Sequence, residues 1–249
     1  MIELFDAQAG FGGAKPGQAW IPSADELVGH MKRLSIRRAL VRTDFEEMDH
    51  NVPLSNQLLY EGCAAHKGLV PCPTVLPAGG ADVPGEEEQV NELISKGSGA
   101  ATIRPGIDLW SMAEWCSGKL FSVLEERRVP VLCRQGSFPL ETIGDLAGRY
   151  PKLPIVIFQM SYRFQRTLIP LMQEFRNVHL AMGSPFSVHR GVETMVEKVG
   201  VKQLLFGTGF PASDLMPGIT MITYAQIPEA DKKLIATGNL DRLIKGIKK

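Results

Sequence analysis

The chain has few histidines and few cysteines, five and four in 249 residues. Cys63, Cys72, Cys116 and Cys133 are widely spaced and form no Cys-x-x-Cys, so a zinc knuckle or dithiol redox motif is excluded and free thiols of a cytoplasmic protein are expected. Cys133 lies in an apolar run and reads as a small core residue. No apolar run approaches the ~18 residues of a membrane span. The opening Met1-Ile2-Glu3-Leu4-Phe5-Asp6 places acids inside its first apolar run and has no basic region, unlike a secretory signal. Lys plus Arg equals Asp plus Glu, 27 each, so no excess of one sign points to nucleic acid or a membrane surface as partner. A Walker loop and a Gly-x-Ser-x-Gly elbow are both missing. Gly10-Phe11-Gly12-Gly13 is not a dinucleotide loop either. The third glycine of that fingerprint would fall on Lys15, and the next helix begins only near Ser23.

What is present is an alternation. Short β-branched runs at Ile2–Gln8, Ala39–Thr43, Leu69–Leu76, Ala100–Arg104, Val129–Arg134, Ile155–Gln159, Val178–Met182 and Gln203–Gly207 are separated by amphipathic stretches. Strands alternating with helices imply βαβ units and a parallel sheet. Eight such units in 249 residues, close to the roughly 250 of one closed barrel, predict a single (β/α)₈ TIM-barrel domain over residues 1–249. Ser23-Ala24-Asp25-Glu26 is a capping box, followed by Leu27, Met31 and Leu34 on one helical face. Helices are also expected over Glu86–Ser95, Met112–Arg128, Glu229–Thr237 and Asn239–Ile247. Glu86, Glu87 and Glu88 favour a helix N-terminus, and Gly238 is expected to mark a break.

The strand ends carry a resemblance. Phe5-Asp6-Ala7-Gln8-Ala9-Gly10, Val129–Arg134, Pro151–Gln159, Leu204-Leu205-Phe206-Gly207-Thr208-Gly209-Phe210-Pro211 and Ala236-Thr237-Gly238-Asn239-Leu240-Asp241-Arg242-Leu243 occur in order. Together they resemble the amidohydrolase-related family that includes decarboxylases of the aminocarboxymuconate semialdehyde type. That resemblance implies a barrel with its site at the C-terminal mouth. Carried over position by position, the family's paired histidine ligands on the first strand correspond to Gln8 and Gly10. Its strand-five histidine corresponds to Arg134, its strand-six histidine to Gln159, and its strand-eight aspartate to Gly209; Asp6 alone is retained. Glycine has no side chain, arginine is cationic and glutamine is a weak neutral ligand, so the expectation is no metal and no other cofactor.

In place of those ligands the mouth is expected to hold Gln8, Arg42, Arg104, Arg134 and Gln159. Asp6 and Asp44 are available to neutralise two of the arginines. Arginine forks suit carboxylate or phosphate, so a small anionic molecule is the expected partner, with a homo-oligomer also open. The bland alternative is that these arginines make internal ion pairs. Asp6, Asp214 and His189 are the candidate acids and bases. Asp214 also reads as an exposed loop acid, and His30, His50 and His66 as surface residues. His179 reads as a hydrogen-bonded core residue. Trp20, Trp110 and Trp115 either wall the mouth or pack. Three readings remain open: a metal-independent hydrolase or lyase, a non-catalytic binding barrel, and a regulatory partner.

Overall fold

A computed structural model of the chain describes residues 2–12, 22–43 and 51–249. Asp44, His50 and Trp20 lie outside the described residues. The described chain is a (β/α)₈ barrel. Its strands are β1 Leu4–Phe11, β2 Ile36–Thr43, β3 Leu69–Pro71, β4 Ala101–Ile103, β5 Val131–Arg134, β6 Ile155–Phe158, β7 Val178–Met182 and β8 Leu204–Phe206. They pair in parallel as β1-β2-β3 and as β4 through β8. A bridge between Thr74 and Thr102 joins the two sets, and hydrogen bonds from Thr208, just past β8, to Asp6 on β1 close the ring.

The sequence dictates this because its strands are apolar on both faces, as a barrel wrapped in helices requires. Successive side chains alternate. On β5, Val131 and Cys133 face the helical layer, while Leu132 packs inside the barrel with Phe5, Leu40, Val156, Phe158 and Leu205. Ala7, Ala100 and Ala181 share that interior and leave room for the larger rings. Leu240 and Leu243, near the C-terminus, plug the interior from below. Each fully buried leucine here contributes about 2 kcal/mol of transfer free energy. No helix among the described residues is long and apolar enough to cross a membrane.

The helices that follow are α1 Ala24–Arg33, α2 Val52–Ala64, α3 Glu86–Ser95, α4 Glu114–Glu126, α5 Leu140–Arg149, α6 Gln165–Glu174, α7 Gly191–Val199, α8 Leu215–Tyr224, α9 Glu229–Lys233 and α10 Asn239–Lys245. The capping box of α1 forms in both directions, Ser23 Oγ accepting from Glu26 N–H and Glu26 Oε2 from Ser23 N–H. Glu86 opens α3, and its carboxylate accepts from the Ala78 N–H.

Three expectations are corrected. Gly238 does not break the last helix. It is in the right-handed helical region, and a π-turn over Leu234–Gly238 carries α9 into α10. Glycine permits a break without imposing one, and Asn239 Nδ2, bonded to the Val201 and Leu204 carbonyls, holds the continuation against β8. The third strand stops at Pro71 instead of Leu76, since Thr74 makes only an isolated bridge. On β1 simple alternation fails. Its pairing with β2 jumps from Asp6↔Ala39 to Ala9↔Val41, one extra residue on β1. That bulge lets Ala7 face the interior and still sends the Gln8 side chain across it.

Candidate functional site

Asp6 is built into the barrel wall. Its Oδ1 accepts from the Gln8 and Thr208 N–H groups, both at 3.0 Å, and its Oδ2 from the Thr208 hydroxyl. The same hydroxyl oxygen accepts from the Phe210 N–H. Burial pushes the Asp6 carboxyl above its ordinary range, against the downward pull of those hydrogen bonds and of the Arg42 charge. This carboxyl bonds the two ends of the sheet together, with no solvent exposure to speak of.

Gln8 crosses the strand C-termini. Its Oε1 accepts from the Gln159 N–H at 3.1 Å, and Gln159 Nε2 donates to the Gly209 carbonyl at 3.1 Å. Three strand ends are thus linked through side-chain amides. The glycines explain how. A Cβ at Gly207 would stand 2.5 Å from Gln8 Cγ, and one at Gly183 would run into the Gln8 amide. A Cβ at Gly209 would likewise meet the Gln159 amide, and Gly209 has φ +79°. Gln159 itself has φ +56°, which turns its side chain away from the course an extended strand would give it. Gln8 Nε2 is buried without a hydrogen-bond partner.

The arginines occupy inward positions on the other side of the mouth. On β2, Ala39 and Val41 pack outward, while Arg42 reaches across the interior until its guanidinium lies 4.7 Å from the centre of the Phe158 ring. It also approaches the Ala9 carbonyl at 3.4 Å. Phe158 is the pairing neighbour of Arg134. Arg134 follows inward Leu132 and outward Cys133 and is exposed at the tip of β5. Arg104, beyond β4, is clamped in a fork-to-fork pair with Asp108, Nε–Oδ2 at 3.1 Å and Nη2–Oδ1 at 2.6 Å, with both side chains largely buried. The turn that places Asp108 is pinned by N–H groups of Ile107 and Asp108 bonding to the Arg104 carbonyl. Asp108 was not among the residues expected from sequence. The Arg-x-x-x-Asp spacing after a strand is the signal that could have found it.

The remaining expected residues are not brought to this network. Asp214 caps α8, accepting from the Met216 N–H at 2.7 Å, and is exposed. His189 is exposed in the loop before α7, where it adds to the downward pull on the Glu193 carboxyl. Trp110 packs against Phe121, while Trp115 is 83% exposed. His30 packs near Phe210 and His66 contacts Asp25. Cys133 is buried against the helical layer, and burial pushes its thiol up. His179 is buried in β7 as expected, but its Nδ1 has no hydrogen-bond partner. Among the described residues, no group of three or more His, Cys, Asp or Glu side chains is arranged to hold a metal ion.

A barrel whose strand ends carry this order of motifs matches a family model described as amidohydrolase over residues 23–244. The chain belongs to the amidohydrolase family. Its barrel superposes on 2,6-dihydroxybenzoate decarboxylase complexed with 2,6-dihydroxybenzoate at a TM-score of 0.76, with 16% identity over 98% of this chain and 99% of that one. A dihydroxybenzoic acid decarboxylase from Polaromonas, solved with manganese and the inhibitor 2-nitroresorcinol, gives 0.72 with 15% identity over 98% and 97%. A probable 2-pyrone-4,6-dicarboxylic acid hydrolase from Acinetobacter baumannii, solved with citric acid, gives 0.71 with 13% identity over 98% and 100%. At these identities the likeness is one of fold. No curated protein matches the chain.

Proposed function

We propose that this amidohydrolase-family barrel binds a small carboxylate anion at the strand C-termini, with Arg42 and Arg134 as its cations, the second at the position that the family resemblance gives to a histidine ligand. The observation that carries the reading is the meeting of β2 and β5 around one ring. Arg42 lies over Phe158, and Phe158 pairs with Arg134. Phe158 thereby brings the Arg42 guanidinium and the strand position of Arg134 to one level of the barrel, beside an aromatic face. That combination suits an aromatic carboxylate, the kind of molecule named with the structural relatives.

The residues at the carried-over ligand positions do not fit a divalent cation. Gly10 and Gly209 offer no side chain, and Arg134 brings a positive charge. The one ligand-type oxygen of Gln8 already accepts from the Gln159 N–H, and its amide N–H₂ is a donor that cannot coordinate a cation.

Among the described residues, geometry supports binding better than hydrolysis or lyase chemistry. Both reactions need a proton carrier within hydrogen-bond reach of the ligand. Asp6 has its oxygens engaged by Thr208 and Gln8, Asp214 serves as a helix cap, and His189 is exposed beside Glu193. The test is calorimetric titration of 2,6-dihydroxybenzoate, with carbon dioxide release followed in parallel. Binding should occur without turnover, and Arg134→Gln should weaken it by about tenfold, on the order of 1.4 kcal/mol. Affinity unchanged in Arg134→Gln would remove the binding reading. Turnover abolished by Asp6→Asn would restore the enzymatic one.

A further inference from the structure

At the opposite end of the barrel, below the N-terminal ends of β6 and β7, lies a cavity of about 490 Å³. Its volume falls within the ~300–1,000 Å³ range of small-molecule sites. Four cations line it from four separate segments. Arg128 follows α4, Lys152 lies in the loop before β6, Arg176 in the loop before β7, and Arg242 on α10. His179 lines the same cavity, and no aspartate or glutamate does.

The way these cations are held differs from an ordinary solvated surface. The Arg176 guanidinium donates to the Val199 carbonyl at 3.3 Å and to Gln203 Oε1 at 3.1 Å. That of Arg242 donates to the Lys202 carbonyl at 2.7 Å and to Asn239 Oδ1 at 3.5 Å. Both are therefore positioned by neutral acceptors that leave their charge uncompensated. Glu125 engages this region through the backbone, its carboxylate accepting from the Lys152 N–H at 2.8 Å. In a chain with 27 acids and 27 bases, a cavity lined by four cations and no acid is a local excess of positive charge. His179 closes the inner wall; it is buried, and its imidazole adds no negative charge to the cavity.

We propose that this N-terminal cavity is a binding site for a small phosphate-bearing anion, gripped by Arg128, Lys152, Arg176 and Arg242. A phosphate group carries about −1.5 to −2 charges at neutral pH and three acceptor oxygens, which matches several converging donors better than one carboxylate does. The site is at the far end of the barrel from the carboxylate mouth, so the two stand or fall separately.

The test uses the full chain and pyrophosphate as probe, titrated calorimetrically at constant ionic strength. One pyrophosphate should bind per chain. In Arg128→Asn/Lys152→Gln, two side chains that make no hydrogen bond or ion pair with another described residue, affinity should fall by about tenfold or more while the fold stays intact by circular dichroism. Arg134→Gln should leave pyrophosphate affinity unchanged. Absence of binding, a loss below about threefold in the double variant, or a loss in Arg134→Gln that places the phosphate at the mouth would each overturn the proposal.

Discussion

At the strand C-termini, Arg104 is clamped by Asp108 and Arg42 lies on the Phe158 ring. At the N-terminal face, Arg176 and Arg242 are steadied by carbonyl and amide oxygens, and no acid lines the cavity they share. The contrast extends to the buried titratable groups. Asp6, near the mouth, has its oxygens filled by three donors. His179, near the floor, has one nitrogen with no partner. A polar group whose partners are all supplied by the protein is a structural part. Burial of an unsatisfied donor or uncompensated charge is costly, and Gln8 Nε2 at the mouth shares that condition with His179 Nδ1 at the floor.

The largest expected effect tests the structural half of that contrast. Asp6→Ala strips the acceptor from the Thr208 N–H, the Thr208 hydroxyl and the Gln8 N–H at the seam between β8 and β1. A loss of about 3 kcal/mol is expected by urea denaturation, since each buried donor left unmet costs about 1–3 kcal/mol and water recovers part of it. A loss below ~1 kcal/mol would mean that the seam is held elsewhere.

Next in size is the amide network. Gly207→Ala places a methyl 2.5 Å from Gln8 Cγ and should cost about 1–3 kcal/mol. The cost should shrink in the Gly207→Ala/Gln8→Ala pair, where the obstructing side chain is gone. Additive losses in that cycle would show that the glycine serves some need other than room for Gln8.

Opposite in sign at the two ends are the pH responses. Burial first, then the Arg242 charge, lowers His179 from 6.5 to about 3, with the Lys202 carbonyl opposing. A depressed pKa gives stability that is present above 6.5 and lost as pH falls from there towards 3, by at most ~1.4 kcal/mol per pH unit. Asp6 is raised above its ordinary 3.8. Its contribution is present below 3.8 and is lost as pH rises towards its folded value. Denaturant midpoints measured between pH 4 and 7 should therefore flatten on the acid side in His179→Leu. The same acid-side slope in the variant would assign it to another group.

Much of the frame was legible in the sequence. Eight apolar runs separated by amphipathic stretches gave the barrel, and Ser23 with Glu26 gave the start of α1. The site was legible in identity but not in arrangement. Strict alternation puts Asp6, Gln8 and Gly10 on one face, and the bulge between Asp6 and Ala9 breaks that rule without leaving a local signature. Asp108 escaped notice because its pairing with Arg104 depends on a turn outside the strand pattern. Gly183 and Gly207 looked like ordinary strand-end glycines. Their role as space for Gln8 appears only when β1, β7 and β8 are side by side. The cations of the floor are scattered over more than a hundred residues, and only the closed barrel gathers them.

The central claim is that the mouth holds an anion by the protein's own fixed charge. The most direct measurement is titration of 2,6-dihydroxybenzoate into chelator-treated protein, repeated with manganese added. The account predicts the same affinity in both titrations, weakened by Arg134→Gln in both. Binding that appears only with manganese, accompanied by about one manganese retained per chain, would contradict it.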